Sequence, residues 1–212
     1  MATLDLQEQE QVDALKAWWK DNGKWVLMAL VLGLVGYAAV QGWHSYKAKQ
    51  STEAAVLFGE LAKQVASNDP KRINDAAAAV TGKYASSAYA PRAALVAAQA
   101  DIQANDLVSA KTQLQWVIDH ASEDGLKNVA RLKLASVLLD EKNYPDALKM
   151  LDAPHADSYN ALYSDLKGDV LNAQGKSEEA RAAYQLAFTK TDIKSAYRNL
   201  IQMKLDALGG AK

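Results

Sequence analysis

The chain contains no cysteine, which excludes a disulfide framework, a zinc–thiolate site and a thiol nucleophile together. Proline occurs only four times in 212 residues, so few positions forbid a helix. Histidine is equally sparse. His44, His120 and His155 lie far apart, and none has a second ligand at i+3 or i+4, so no local metal pair exists. There is no Gly-x-Ser-x-Gly elbow, no phosphate-cradling loop ending in Gly-Lys-Ser/Thr and no dinucleotide fingerprint, which removes the commonest catalytic signatures. The carboxylate pairs Glu123-Asp124 and Glu178-Glu179 fall at turns or helix starts, where solvated caps account for them. A net charge of −1 with no basic cluster argues against a nucleic-acid surface. The expectation is a non-enzymatic protein with no cofactor.

Charge is also absent from one long stretch, and that absence is the most informative. Nineteen consecutive residues, Trp25 to Trp43, carry none, and Gln41 is their only strongly polar member. At about 1.5 Å per helical residue the run reaches roughly 28 Å, near the roughly 30 Å hydrocarbon core of a bilayer. Trp25 and Trp43 stand at its ends, where amphipathic rings favour headgroups, with Lys24, Lys47 and Lys49 just outside. Its eight Val and Leu residues favour insertion by on the order of 3–4 kcal/mol. A cleaved signal peptide fits poorly, because the preceding segment is rich in acids and Gln41-Gly42-Trp43-His44 is a poor cleavage site. The run reads as an uncleaved transmembrane anchor. Within it Ala29 and Gly33, Ala38 and Gly42, with Gly36 between, form small-residue spacings that would admit a second helix. Orientation is a tie: Lys16, Lys20 and Lys24 precede the span, and Lys47, Lys49 and Lys63 follow it.

The expected division is a segment 1–23, a span 24–43, a linker 44–50, a helical domain 51–208 and a tail 209–212. In the first segment Val12, Leu15 and Trp19, with Trp18 alongside, make an amphipathic stripe, and Asn22-Gly23 looks like its stop. Two readings stand: a helix lying on headgroups or a partner, or an extension of the spanning helix. Beyond the span the chain is alanine-rich, with breaks near Ser67–Pro70, Tyr89–Pro91, Asn105-Asp106, Glu123–Gly125, Asn143–Pro145 and Gly175–Ser177. These breaks predict helices of about 12–17 residues in antiparallel hairpins.

The hairpins repeat. Gly168, Leu171, Ala180, Tyr184 and Ala187 fall at offsets 0, 3, 12, 16 and 19. Ala135, Leu138, Ala147 and Leu151 fill the first four in the preceding unit, with Pro154 at the last. Ala98, Ala110, Leu114 and Val117 fill offsets 0, 12, 16 and 19 in the unit before, with polar Asp101 at offset 3. Ala110, Ala147 and Ala180 are 37 and 33 positions apart, against about 34 for a tetratricopeptide repeat. Small residues at offsets 0 and 12 let two backbones approach, and the large residue at 16 fills the gap beside them. Residues 51–83 read as a degenerate hairpin. Tyr197, Leu200, Ile201, Leu205 and Leu208 read as one stripe of a C-terminal capping helix stopped by Gly209-Gly210. The predicted fold is therefore all-α: one transmembrane helix, then a tetratricopeptide-like α-solenoid with a cap.

In such an array the first helix of each hairpin lines one face. That face would carry Arg92, Leu95, Gln99 and Ile102, then Val129, Leu132, Ser136 and Leu139, then Leu162, Asp165, Asp169 and Asn172. It is apolar at first and acidic at the end. A groove for an extended or partly unfolded polypeptide has this character, and so does a face covered by the chain's own C-terminal helix.

Residues 11–19, Gln-Val-Asp-Ala-Leu-Lys-Ala-Trp-Trp, and then Asp21-Asn22-Gly23-Lys24 give the layout a family likeness. So do Asp165-Leu166-Lys167-Gly168-Asp169, Gly175, Ala180-Arg181-Ala182-Ala183-Tyr184 and Met203-Lys204. Taken together and in order, the chain resembles the YfgM family of bacterial inner-membrane proteins, ancillary subunits of the SecYEG translocon. It departs near Ala76 and around His155. The resemblance implies a cytoplasmic N-terminus, one span and a periplasmic tetratricopeptide-like domain. Its implied partners are SecYEG and the membrane-anchored chaperone PpiD, and its implied role is handing exported proteins to periplasmic chaperones. The competing class is a single-pass signalling adaptor whose N-terminal helix holds a regulator.

Overall fold

The computed structural model describes the backbone of residues 2–209 and side chains from Glu8 onward. Residues 210–212 of the expected tail, including Gly210 of the expected helix stop, lie outside the described residues. Among the described residues every regular element is helical. Residues up to Gln50 and residues from Ser51 onward form two compact units.

The first unit belongs to α1 (Ala2–Val65). Its described part holds a stretch of mean hydropathy 1.8, none of it buried, long and apolar enough to cross a membrane. Trp25 and Trp43 are exposed, as are Ala29 and Ala38. Nothing lies within 4 Å of where a side chain would begin at Gly33, Gly36 or Gly42. One expectation is corrected here. Asn22-Gly23 does not stop the helix, and residues 44–50 are helical. A glycine stop needs a left-handed residue, and Gly23 is not among those with positive φ. The Trp19 ring instead lies 3.1 Å from the place a Cβ would occupy there. Residues 44–50 contain neither proline nor glycine, so nothing ends the helix.

The second unit begins with the last turns of α1 and continues through α2 (Pro70–Lys83), α3 (Tyr89–Gln103), α4 (Leu107–His120) and α5 (Asp124–Asp140). It closes with α6 (Tyr144–Leu151), a 3-10 turn at Asp157–Tyr159, α7 (Asn160–Ala173), α8 (Ser177–Lys190) and α9 (Tyr197–Ala207). Asp69 caps α2, accepting from the N–H groups of Lys71 and Arg72 at 3.0 and 3.3 Å, with Pro70 in the first turn. Asp106 caps α4 through Ser109 N–H at 3.1 Å. The short α6 falls below the expected length, because Asp152-Ala153-Pro154 ends it and leaves Pro154 outside the helix.

The three hairpin turns are the same turn. Asn105, Lys142 and Gly175 take positive φ of 60°, 60° and 78°. The next residues, Asp106, Asn143 and Lys176, donate N–H to the carbonyls of Asp101, Leu138 and Leu171 at 2.8, 2.8 and 3.0 Å. Each is a Schellman ending, placed seven residues after Ala98, Ala135 and Gly168 respectively. Those three residues are buried, as are Ala110, Ala147, Leu151, Ala180 and Tyr184. Each hairpin closes on itself, α3 on α4, α5 on α6 and α7 on α8, while α3 packs on α5 and α5 on α7.

Three apolar clusters result. One joins Leu61, Ile73 and Val80 to Ala90, Ala93, Ala97 and Ala100 of α3. The largest holds Leu114, Val117, Leu134, Leu138, Leu151, Tyr163 and Val170. The third gathers Leu171, Ala180, Tyr184, Ala187 and Ile201. The α9 stripe needs one correction: Leu200 is 46% exposed, while Lys204 is half-buried. Carboxylates on α7 turn that face of α9 toward a cation rather than a leucine.

Candidate functional site

The face carried by α3, α5 and α7 divides into an open part and a closed part. Leu95, Ile102, Leu132 and Leu139 are half-buried and pack against the largest apolar cluster. Val129 is half-buried, and Ser136, Leu162 and Asn172 are exposed. Arg92 is half-buried and already paired. Its guanidinium grips Glu123 with two hydrogen bonds of 2.8 and 2.9 Å and also reaches the Ala88 carbonyl. The Arg92 hydrogen bond holds the Glu123 carboxyl below its ordinary range. This pair ties α3 to the start of α5.

At the α7 end, α9 occupies the acidic patch, so Asp165 does not line an open surface. Asp165 is 4% exposed. It accepts from the Tyr197 hydroxyl at 2.6 Å and from the Lys204 ammonium at 2.7 Å. Asp169 takes the same ammonium at 2.8 Å and the Tyr184 hydroxyl, also at 2.8 Å. Burial, and then the hydrogen bonds to these carboxylates, push both tyrosine hydroxyls well up, so they remain donors.

The open part is a groove of about 360 Å³ at the other end. Val65, Ile73, Leu95, Val96 and Ala100 form its walls, and Asn68, Gln99, Gln103 and Lys133 supply polar atoms. Of these, the spacing analysis identified only Leu95 and Gln99. Lys133 sits next to Leu132 in sequence, and its role depends on α3 packing against α5. A second hollow of about 580 Å³ lies among α4, α5 and α6, floored by Trp116, Leu134, Leu138 and Met150. Trp116 stacks on His120 there, 4.6 Å between ring centres. Residue spacing does not reveal this hollow, because its lining comes from three helices. His155 stacks on Tyr163 at 3.9 Å and hydrogen-bonds Asn160. Among the described residues no three His, Asp or Glu side chains gather as a metal site.

Asp101, the polar intruder at offset 3, is buried at 1% exposure, and Asn74 donates to its Oδ1 at 2.5 Å. Its Oδ2 and the Asn74 Oδ1 are both buried without a partner. Burial raises the Asp101 carboxyl above its ordinary 3.8 despite that hydrogen bond. Between the ordinary and the raised value the folded state holds a proton that the unfolded chain has released, so this group's contribution is favourable in acid and is lost as pH rises through the raised value. Asp101→Asn keeps an acceptor, removes the charge and adds donors for the orphaned oxygen. It should stabilise the domain at neutral pH by about 1 kcal/mol, with the gain shrinking in denaturant melts as pH falls through the raised value toward the ordinary one. A loss of stability at neutral pH would refute this account of the pair.

Helical hairpins that reuse one turn and one small-residue contact, following a helix apolar and long enough to cross a bilayer, define a tetratricopeptide-like protein. The tetratricopeptide repeat-like domain family matches residues 16–210. The chain is 34% identical over 204 residues to the ancillary SecYEG translocon subunit of Neisseria gonorrhoeae, covering 96% of this chain and 98% of that one. It is 30% identical to the protein of that name from Escherichia coli, over 95% and 96% of the two chains. The Haemophilus influenzae protein is 25% identical over 86% and 89%. No solved structure matches. The chain belongs to the tetratricopeptide repeat-like family of ancillary SecYEG translocon subunits.

Proposed function

We propose that the protein is a non-enzymatic scaffold at the Sec translocon, anchored by residues 24–43 with residues 1–23 in the cytoplasm and 51–208 in the periplasm of a bacterial inner membrane. The observation that carries this reading is near-full-length similarity to relatives that bear the translocon name in several organisms. The apolar run ending in Trp25 and Trp43 supports the anchor, and the small-residue stripe Ala29, Gly33, Gly36, Ala38 and Gly42 offers a contact for channel helices in the lipid bilayer. The helical-hairpin domain docks a PpiD-like periplasmic chaperone and unfolded exported proteins, and so assists their transfer from the channel.

Photo-crosslinkers at Leu95, Gln99 and Leu162 in cell membranes test this. They should capture Sec channel or chaperone subunits, while a probe at Val108, exposed on α4, should not. Equal capture from all four sites, or none at normal expression, would remove the reading.

A further inference from the structure

Asp101 and Asn74 leave two buried oxygens open, and a single proton answers both. Asn74 Nδ2 already donates to Asp101 Oδ1 at 2.5 Å, while Asp101 Oδ2 and Asn74 Oδ1 have no partner. An ionised carboxylate only accepts, as does an amide oxygen, so in that state neither orphan can help the other. A protonated carboxyl carries one O–H donor. On Oδ2 and directed at Asn74 Oδ1, it closes a ring of two hydrogen bonds between acid and amide. The surrounding charges offer no substitute. On α2, Arg72 turns back to Asp69 at 3.5 Å, and Lys71 and Asp75 are exposed. At α4, Asp106 caps its own helix through Ser109 and Lys111 meets Glu141 at 2.6 Å. On α5, Lys133 donates to Gln99 at 2.6 Å, and near the end of α1 Lys63 meets Glu60 at 2.7 Å. Burial is the main cause that raises the Asp101 carboxyl; the Asn74 hydrogen bond opposes it, and the Asp106 charge adds to it.

The pair sits where it can hold a whole element. Among the described residues it is the one side-chain hydrogen bond between α2 and α3. Its neighbours Ile73, Ala77, Ala97 and Ala100 belong to the apolar cluster those helices share. A cleft of about 370 Å³ runs beside it, lined by Pro70 and Ile73 of α2 and by Ala100 and Gln103 of α3. We propose that a solvent proton taken up between Asp101 Oδ2 and Asn74 Oδ1 locks α2 onto α3 in acid, and that its release at higher pH loosens α2 along this cleft. The direction follows from the raised carboxyl: the lock is present in acid and is lost as pH rises through the raised value. The effect is confined to the start of the hairpin domain, because the proton bridges only these two helices.

The test follows amide exchange of the full-length protein in detergent micelles, from neutral pH down to the ordinary carboxylate value of 3.8. Each rate is divided by that of the unstructured chain at the same pH. Protection of α2 should rise about fivefold in acid, the scale of one net hydrogen bond, while α5 should hold constant. Asp101→Asn should give α2 its acid-level protection at every pH, because an amide–amide pair closes the same ring without a titrating proton. A second measurement needs no variant. In wild-type protein labelled at asparagine, the Asn74 Cγ resonance should move downfield in acid, as its oxygen begins to accept, with the same midpoint as the α2 protection. A flat α2 profile overturns the proposal, and so does an acid gain that persists in Asp101→Asn. An acid gain that depends on Asp101 while Asn74 Cγ stays still, or moves upfield, overturns it too, since burial alone then accounts for the titration.

Discussion

Gly168→Ala should destabilise the hairpin domain by about 1–3 kcal/mol, although alanine is the better helix former by nearly 1 kcal/mol. The reason is local. A Cβ added at Gly168 would fall on the Tyr184 ring, which comes across from α8. The ring cannot swing aside cheaply, because its hydroxyl is held by Asp169 at 2.8 Å. Gly59 supplies the opposite case: it is exposed in α1 with nothing within 4 Å of an added Cβ. Gly59→Ala should therefore raise stability by about 0.5–1 kcal/mol. Thermal melts should separate the two variants in sign, with Gly168→Ala lowered by several degrees, at roughly 2–4 °C per kcal/mol for a chain of this size. Shrinking the ring with Tyr184→Leu should make Gly168→Ala neutral or favourable in the double variant. If Gly168→Ala melts at or above the wild type, the close contact between α7 and α8 is not what holds the third hairpin.

Lys204→Ala should cost about 3 kcal/mol. It leaves Asp165, whose side chain is 6% exposed, facing Asp169 without the ammonium that bridges them. The Tyr197 and Tyr184 hydroxyls remain as donors, but neutral donors compensate a buried carboxylate less well than a cation does. The effect should be local. Amide exchange across 197–208 should accelerate while α3 to α6 stay protected. In an Asp165→Asn background the same substitution should cost much less, because the uncompensated charge is gone. An equal cost in both backgrounds would mean that Lys204 acts through its stem packing and not through its charge.

Small-residue spacing located the hairpins because it reports a backbone contact that tolerates few side chains. Ala98, Ala135 and Gly168 at offset 0, with Ala110, Ala147 and Ala180 at offset 12, were readable for that reason. The shared turn was not, because Asn105, Lys142 and Gly175 have nothing in common as residue types and are alike only in backbone conformation. Glycine identity alone does not mark a helix stop; a left-handed backbone does. Gly175 and Gly209 adopt positive φ and Gly23 does not. The acidic end of the face, Asp165 and Asp169, was legible as either an open groove or a surface covered by the C-terminal helix, since nothing local reveals that Lys204, 39 residues on from Asp165, returns to it. The setting of Lys133 is illegible locally for the same reason: it comes from α1, α2 and α3, distant in sequence.

The way α9 sits on the third hairpin also limits how this architecture can change over generations. A fourth hairpin would have to stack on the surface that Tyr197, Ile201 and Lys204 now cover, and it would displace Arg198 from the Phe188 and Thr191 carbonyls at the end of α8. Lineages that lengthen the array would do so by duplicating an internal unit, most easily at the irregular stretch between Leu151 and Asn160, and would leave the terminal helix in place.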